Sequence, residues 1–181
     1  MGQRLGWFGI ATIPSEPIRM GLGLSLIDVL STPVQLRDFV VQDQATVRAL
    51  VLDGLGEHWG VVDPRFNPDL DDIARNYASG RTVVATRNDH IVGTGSVVPR
   101  EPGIAEVVRM SVRSDERGSG IGREILTELV GTARSWGCKR IVLETASHWT
   151  DVVAFYVRCG FMITHEQDGE CCSDTWFELL L

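Results

Sequence analysis

The chain has 181 residues, 44% hydrophobic and 23% charged, with a formal net charge of −7. That length suits one domain with a sizeable core, and the acidic balance argues against nonspecific binding to nucleic acid or an anionic membrane. No stretch is apolar for long enough to cross a membrane as a helix, and Cys138, Cys159, Cys171 and Cys172 show neither Cys-x-x-Cys spacing nor a disulfide framework. Reduced thiols in a cytoplasm are the expectation, with Cys171-Cys172 read as two free thiols in a loop, a redox or metal feature being the alternative, and no metal site expected.

Residues 1–32 read as an N-terminal extension and 33–181 as the folded domain. In the extension, LGWFGIATI after Arg4 resembles a signal peptide faintly, but Pro14 and Pro17 follow without a strong cleavage pattern. Residues 18–30 are a short apolar run interrupted by Asp28, and Met20 is an alternative start. Residues 34–36 form a short strand. Asp43 is placed to cap a helix carrying Val47, Leu50, Val51 and Leu55 on one face, fading over 56–60. After the loop GVVDPRFNP, a second helix is expected over 69–78, with Asp69, Asp71 and Asp72 in its first turn. RTVVAT (81–86) and IVGTGSVV (91–98) flank turn residues 87–90 and form a hairpin. Residues 99–103 make the next turn, and 104–112 the third strand of an antiparallel meander. Helical spacing returns at Ile121, Ile125, Leu129, Ala133 and Trp136, and Gly137 ends it. A buried strand (141–143), a helix (149–158) stopped by Gly160, and two strands (161–164 and 175–181) complete the chain. The class is α/β with a mixed sheet. Its clear parallel crossover runs from strand 104–112 through helix 119–136 to strand 141–145.

The stretch EVVRMSVRSDERGSGIGREIL (106–126) sits at the first turn of that crossover. A helix start offers unpaired N–H groups and partial positive charge. Glycines at 118, 120 and 122 would let those amides reach a phosphate or pyrophosphate, with Arg117 and Arg123 adding charge. The glycines alone serve equally well as a tight strand-to-helix connection. A P-loop is excluded because no G-K-[ST] follows. A dinucleotide fingerprint lacks its third glycine, where Arg123 stands. Glu144 does end the next strand where a ribose-binding acid would sit, but the antiparallel meander weighs against that fold.

Arg-x-x-Gly-x-Gly, filled by Arg117 to Gly122 after Met110-Ser111-Val112, resembles the pyrophosphate loop of the GNAT superfamily of acyl-CoA-dependent N-acyltransferases. Ala154-Phe155-Tyr156-Val157-Arg158-Cys159-Gly160-Phe161 is similar to the segment closing that family's last helix, and the element order fits from about residue 34 onward. The resemblance implies a mixed, mostly antiparallel sheet of about six or seven strands with a central splay, flanked by about four helices. It implies acetyl-CoA as cosubstrate, with the pantetheine arm along Met110, Ser111 and Val112 and the pyrophosphate on Arg117, Gly118, Ser119, Gly120, Ile121, Gly122 and Arg123. A main-chain N–H near Met110 would polarise the thioester carbonyl. By its place in the family segment, Tyr156 becomes the acid that protonates the leaving thiolate. Glu106, on the central strand, becomes the base, with Glu144, His148 or water as rivals. Glu106 shares a face with Val108, Met110 and Val112 unless a bulge intervenes.

One departure is Trp149, where family members often carry a coenzyme-contacting asparagine; the indole packs on the pantetheine, shapes the acceptor pocket or packs in the core. The expected acceptor is the primary amine of a small molecule. Protein or peptide acetylation, a non-catalytic acyl-CoA-binding module and a nucleotide-binding redox domain are the alternatives. Asp53, Glu57, His58, Trp59, Asp63, Asp69, Asp71 and Asp72 are either an acidic acceptor wall favouring a cation or a solvated surface. A homodimer is compatible with this reading.

Overall fold

A computed structural model describes residues 32–168 and 172–181. The expectations for residues 1–31 and for Cys171 lie outside these residues. The described chain forms one unit, Val34–Leu181, built on a seven-stranded sheet. Its strands are β1 (Gln35–Asp38), β2 (Arg81–Arg87), β3 (His90–Glu101), β4 (Ile104–Val112), β5 (Arg140–Ala146), β6 (Met162–Asp168) and β7 (Ser173–Leu180). They lie in the order β1-β2-β3-β4-β5-β7-β6, and every neighbouring pair is antiparallel except β4 and β5. The helices are α1 (Gln44–Trp59), α2 (Ile73–Asn76), α3 (Ile121–Ser135) and α4 (Thr150–Arg158).

Two apolar clusters fasten the helices to opposite faces of the sheet. The larger gathers Ile121, Ile125, Leu129 and Ala133 of α3, with Tyr156, Phe161 and Phe177, over Val83, Val97, Ala105, Val107 and Ile141. The smaller holds Val47 and Val51 of α1 with Leu70, Ile73 and Val84. The face of α3 is fixed by its i, i+4 apolar spacing. It can lie directly on β3 because β3 is bare there: a Cβ at Gly93 would stand 2.8 Å from Ile125 Cδ1, and one at Gly95 2.9 Å from Ile125 Cγ2. Trp136 is not part of this face; it follows the helix and is exposed.

Several expectations change. Residues 69–78 are not one helix but a 3-10 turn, Pro68–Asp71, and the single turn α2. Asp43 stands at the N-cap of α1 as expected but makes no side-chain cap bond; its carboxylate accepts from both Nη atoms of Arg37 and from the Val40 N–H instead. β3 runs on through Pro99 to Glu101, so the β3–β4 turn is shorter than 99–103. Pro99 is accommodated beside an irregularity in the β3–β4 register. The hairpin turn is at Asn88 and Asp89, both with positive φ, as a two-residue turn of the primed type requires.

Candidate functional site

The parallel ladder between β4 and β5 has only the pairs Ile104↔Arg140, Ala105↔Ile141 and Glu106↔Val142. Beyond Glu106 the strands part, while β5 stays paired to β7 along its whole length. A cleft of about 930 Å³ opens between the arms, and Glu106, Met110, Ser111, Val112, Arg117, Gly118, Gly120, Ile121, Gly122, Arg123 and Tyr156 all line it. Ser119 is not among the lining residues; its hydroxyl turns back to the Glu116 carbonyl.

A bulge shapes the β4 arm. Ser96 faces Val108 and Thr94 faces Ser111, so Arg109 and Met110 together oppose Gly95. Arg109 adopts φ 53, an uncommon backbone region for a residue with a side chain. The extra residue reverses the alternation. Glu106, Val108 and Ser111 share the α1 face, where Ser111 Oγ donates to the Leu50 carbonyl at 3.1 Å. Met110 points the other way, and a Cβ at Gly95 would come within 2.9 Å of its Cγ. Glu106 and Met110 are therefore on opposite faces.

The glycine turn fits an anion. Gly118 and Gly120 have φ 76 and 97, and a Cβ on either would meet nothing within 4 Å. The amides of Gly118, Gly120, Ile121 and Gly122 make no backbone hydrogen bond at the start of α3. Gly122 packs against Phe155, a Cβ there lying 3.4 Å from its ring. Arg117 reaches across to Glu57 at 2.5 Å and donates from Nε to the Val112 carbonyl at 3.0 Å. Trp149 also lines the cleft, and its Nε1 is buried without an acceptor. Its ring stacks on His58 at 4.2 Å, and Trp59 and His148 meet it edge-on, so aromatic side chains link the end of α1 to the start of α4.

Tyr156 is buried, its ring packed against Phe155, Phe161 and Phe177. Burial, with a smaller contribution from Cys159, pushes its phenol above the ordinary value, so the proton is held firmly. Glu106 is also buried and accepts from Arg100 Nε. The Glu144 carboxylate is on the cleft lining and makes no side-chain hydrogen bond or ion pair. The surrounding protein, then Asp174 and Glu106, raise its carboxyl above the usual range, against smaller pulls from Arg100 and Arg109. His148 stands in the aromatic group rather than in the cleft lining.

The acidic segment is largely occupied. Asp63 pairs with Arg65, Asp71 with Arg48, Asp69 with Arg109 and Glu57 with Arg117, while Asp72 caps the Arg75 amide. Arg100 and Arg109 are among the cleft residues that sequence reasoning missed, because their partners lie on a neighbouring strand or forty residues away. The signal available for Arg109 was a charged residue inside the apolar run EVVRMSV. Among the described residues no group of three His, Cys, Asp or Glu side chains is placed to hold a metal ion, and no helix is long and apolar enough to cross a membrane.

Residues 50–161 match the family model described as Acetyltransferase (GNAT) family. N-acetyltransferase 8B of Rattus norvegicus is 30% identical over 118 residues, 60% of this chain and 53% of that protein. The chain spans about half the length of the curated relatives it matches. An acetyltransferase of the GNAT family from Staphylococcus aureus Mu50 superposes with TM-score 0.75 at 20% identity, covering 82% of this chain and 99% of that one. The yncA protein of Salmonella typhimurium, solved with its cofactor acetyl-CoA, superposes with TM-score 0.67 at 19% identity over 83% and 95% of the two chains. The two structural likenesses establish the fold.

Proposed function

The chain belongs to the GNAT family of acetyltransferases, and on that premise we propose that residues 33–181 form an N-acetyltransferase domain. It moves the acetyl group of acetyl-CoA to the primary amine of a small molecule by direct transfer in a ternary complex, in the cytoplasm. One observation carries this reading: β4 and β5 part immediately after Glu106↔Val142, and the arm that leaves ends in a helix start stripped of side chains.

Bound acetyl-CoA supplies the activated acyl group. The amides of residues 118, 120, 121 and 122, with Arg117 and Arg123, hold its pyrophosphate. The β4 edge at Met110, Ser111 and Val112 takes the pantetheine arm. A main-chain N–H at the bulge aims at the acyl oxygen. Tyr156 Oη carries the proton for the departing sulfur. What supports this role is its place on the cleft lining, since burial keeps the phenol protonated but also makes it a weaker acid.

The amine must arrive unprotonated or lose a proton in the cleft, because an alkylamine has a pKa of about 10.4. Two carboxylates can accept it. Glu106, the sequence-based choice, is engaged by Arg100; Glu144 is unpaired and its carboxyl is raised, which favours Glu144 as acceptor with Glu106 as its charged neighbour. Direct transfer is supported by the lining, which among the described residues contains no cysteine, and whose Ser111 hydroxyl is committed to Leu50. The aromatic link across the cleft favours a small acceptor over a folded protein surface. The test is acetyl-CoA turnover, read by thiol release, against a panel of small amines and peptides. Acceptor-dependent release with small amines is expected; release with peptides alone would move the acceptor class.

A further inference from the structure

We propose that Arg109 and Asp69 are a positioning pair: their ion pair fixes the β4 bulge in the shape that aims a main-chain N–H at the acyl carbonyl. The inference rests on the acetyl-CoA reading above. The bulge puts Arg109 at φ 53, a conformation that an L-residue keeps only where its surroundings impose it. The surroundings here are specific. The guanidinium donates from Nε and Nη2 to the two carboxylate oxygens of Asp69 at 2.9 and 2.7 Å, and from Nη1 to Asn67 Oδ1 at 2.9 Å. A two-pronged contact fixes the orientation of the fork as well as its distance.

The far side of the pair is itself anchored. Asn67 is buried, and the Tyr77 hydroxyl donates to Asp69 Oδ2. Burial, Asp69 and hydrogen bonding push the Tyr77 phenol up to about 12, so it stays a donor. On the near side, Ser111 is tied to the Leu50 carbonyl. The bulge is thus held before and after Met110, by the α1–α2 connection and by α1. Arg109, Asp69 and Tyr77 all face the cleft, so the segment that walls the acceptor half also sets the β4 backbone. Without the extra residue in β4, Met110 would return to the face of Glu106 and the backbone between them would turn its amides elsewhere.

The test compares wild type with Asp69→Asn, Arg109→Lys and Arg109→Gly. Bound acetyl-CoA carrying an isotope label at its acetyl carbonyl is read by difference infrared spectroscopy, alongside kcat, KM and thermal melting. In wild type the carbonyl band should lie below its solution position, as hydrogen bonding to the oxygen demands. In Asp69→Asn it should move back towards solution, with kcat lowered on the order of 10- to 100-fold and KM for acetyl-CoA within about twofold. Arg109→Lys, which keeps the charge and loses the fork, should fall between. Glycine accepts φ 53 without strain, so Arg109→Gly should melt close to wild type and still lose the band shift. The Asp69→Asn/Arg109→Gly double variant should be no worse than the poorer single one, since both remove one contact. A band unmoved in both Asp69→Asn and Arg109→Gly overturns the proposal, as does a kcat loss that only tracks lost melting temperature. The band needs binding alone. A chain that binds acetyl-CoA without turnover would end the transferase reading while the band still decides the pair; a chain that does not bind acetyl-CoA ends both.

Discussion

Replacing Gly120 by alanine separates the cost of a backbone shape from the loss of an anion seat. Gly120 has φ 97 and precedes the first residue of α3. A Cβ built there meets no atom within 4 Å, so no clash contributes to stability. The remaining cost is that of an L-residue in the left-handed region, about 1–2 kcal/mol. For a domain of this size that is a fall in melting temperature of about 2–8 °C. On the proposed reading, the open space around that Cβ is also where the pyrophosphate would come within hydrogen-bonding distance of the bare amides. Disturbing one charge-assisted hydrogen bond costs about 1.5–3 kcal/mol, or about 10- to 100-fold in the dissociation constant of coenzyme A. Calorimetric titration with coenzyme A measures this, and kcat/KM with acetyl-pantetheine, which has no pyrophosphate, is the control. Gly120→Ala should weaken coenzyme A and leave the acetyl-pantetheine rate within about twofold of wild type. Equal losses with both donors, or unchanged affinity for coenzyme A, would refute the seat at residues 118–122.

Tyr156→Phe should lower kcat on the order of 100-fold, the usual scale for a lost general acid, with coenzyme A affinity nearly unchanged; an unaltered kcat removes Tyr156 from the proton transfer. Glu144→Gln should abolish or displace the acidic limb of the kcat pH profile. It should also change stability with a definite sign. The folded-state pKa of Glu144 is raised, so the folded chain holds the proton more tightly than the unfolded one, and wild type loses stability as pH rises from the ordinary glutamate value through the raised one. Glu144→Gln should therefore gain on wild type across that window in parallel denaturation curves, and a gain on acidification would contradict the shift. Glu57→Gln releases Arg117 from an exposed ion pair worth about 0.2–1 kcal/mol, so coenzyme A should bind up to about fivefold more tightly at low salt, with the difference shrinking as salt is added.

The strand carrying the site was legible because its pattern is local: β4 occupies Ile104–Val112, the apolar run before the glycines, and α3 begins at Ile121 as its spacing indicates. Both features are fixed by neighbours a few residues apart. Residues 69–78 were misread because their acidic side chains look like a helix start in sequence. Asp69, however, is drawn to Arg109, forty residues on, and Pro68 opens a 3-10 turn that ends at Asp71. The bulge was foreseen only as a condition on which way Glu106 faces. It exists as a register difference with β3, where two residues meet Gly95, and a single strand carries no record of that register. The engagement of Glu106 by Arg100, the freedom of Glu144 and the rise in its pKa belong to the same class: each depends on side chains brought together across the sheet. Trp149 was placed correctly at the head of α4, but its stack on His58, far earlier in the chain on α1, could not be read from the sequence.

On the proposed reading the cleft between β4 and β5 transfers an acetyl group from acetyl-CoA to an amine. Thiol release from acetyl-CoA with a panel of small primary amines, with the N-acetylated product identified by mass spectrometry, tests it most directly. Release should depend on the amine, saturate in both substrates and yield one acetylated product per thiol. Saturable binding of acetyl-CoA with no release above background for any amine would contradict it and leave an acyl-CoA-binding module in place of an enzyme.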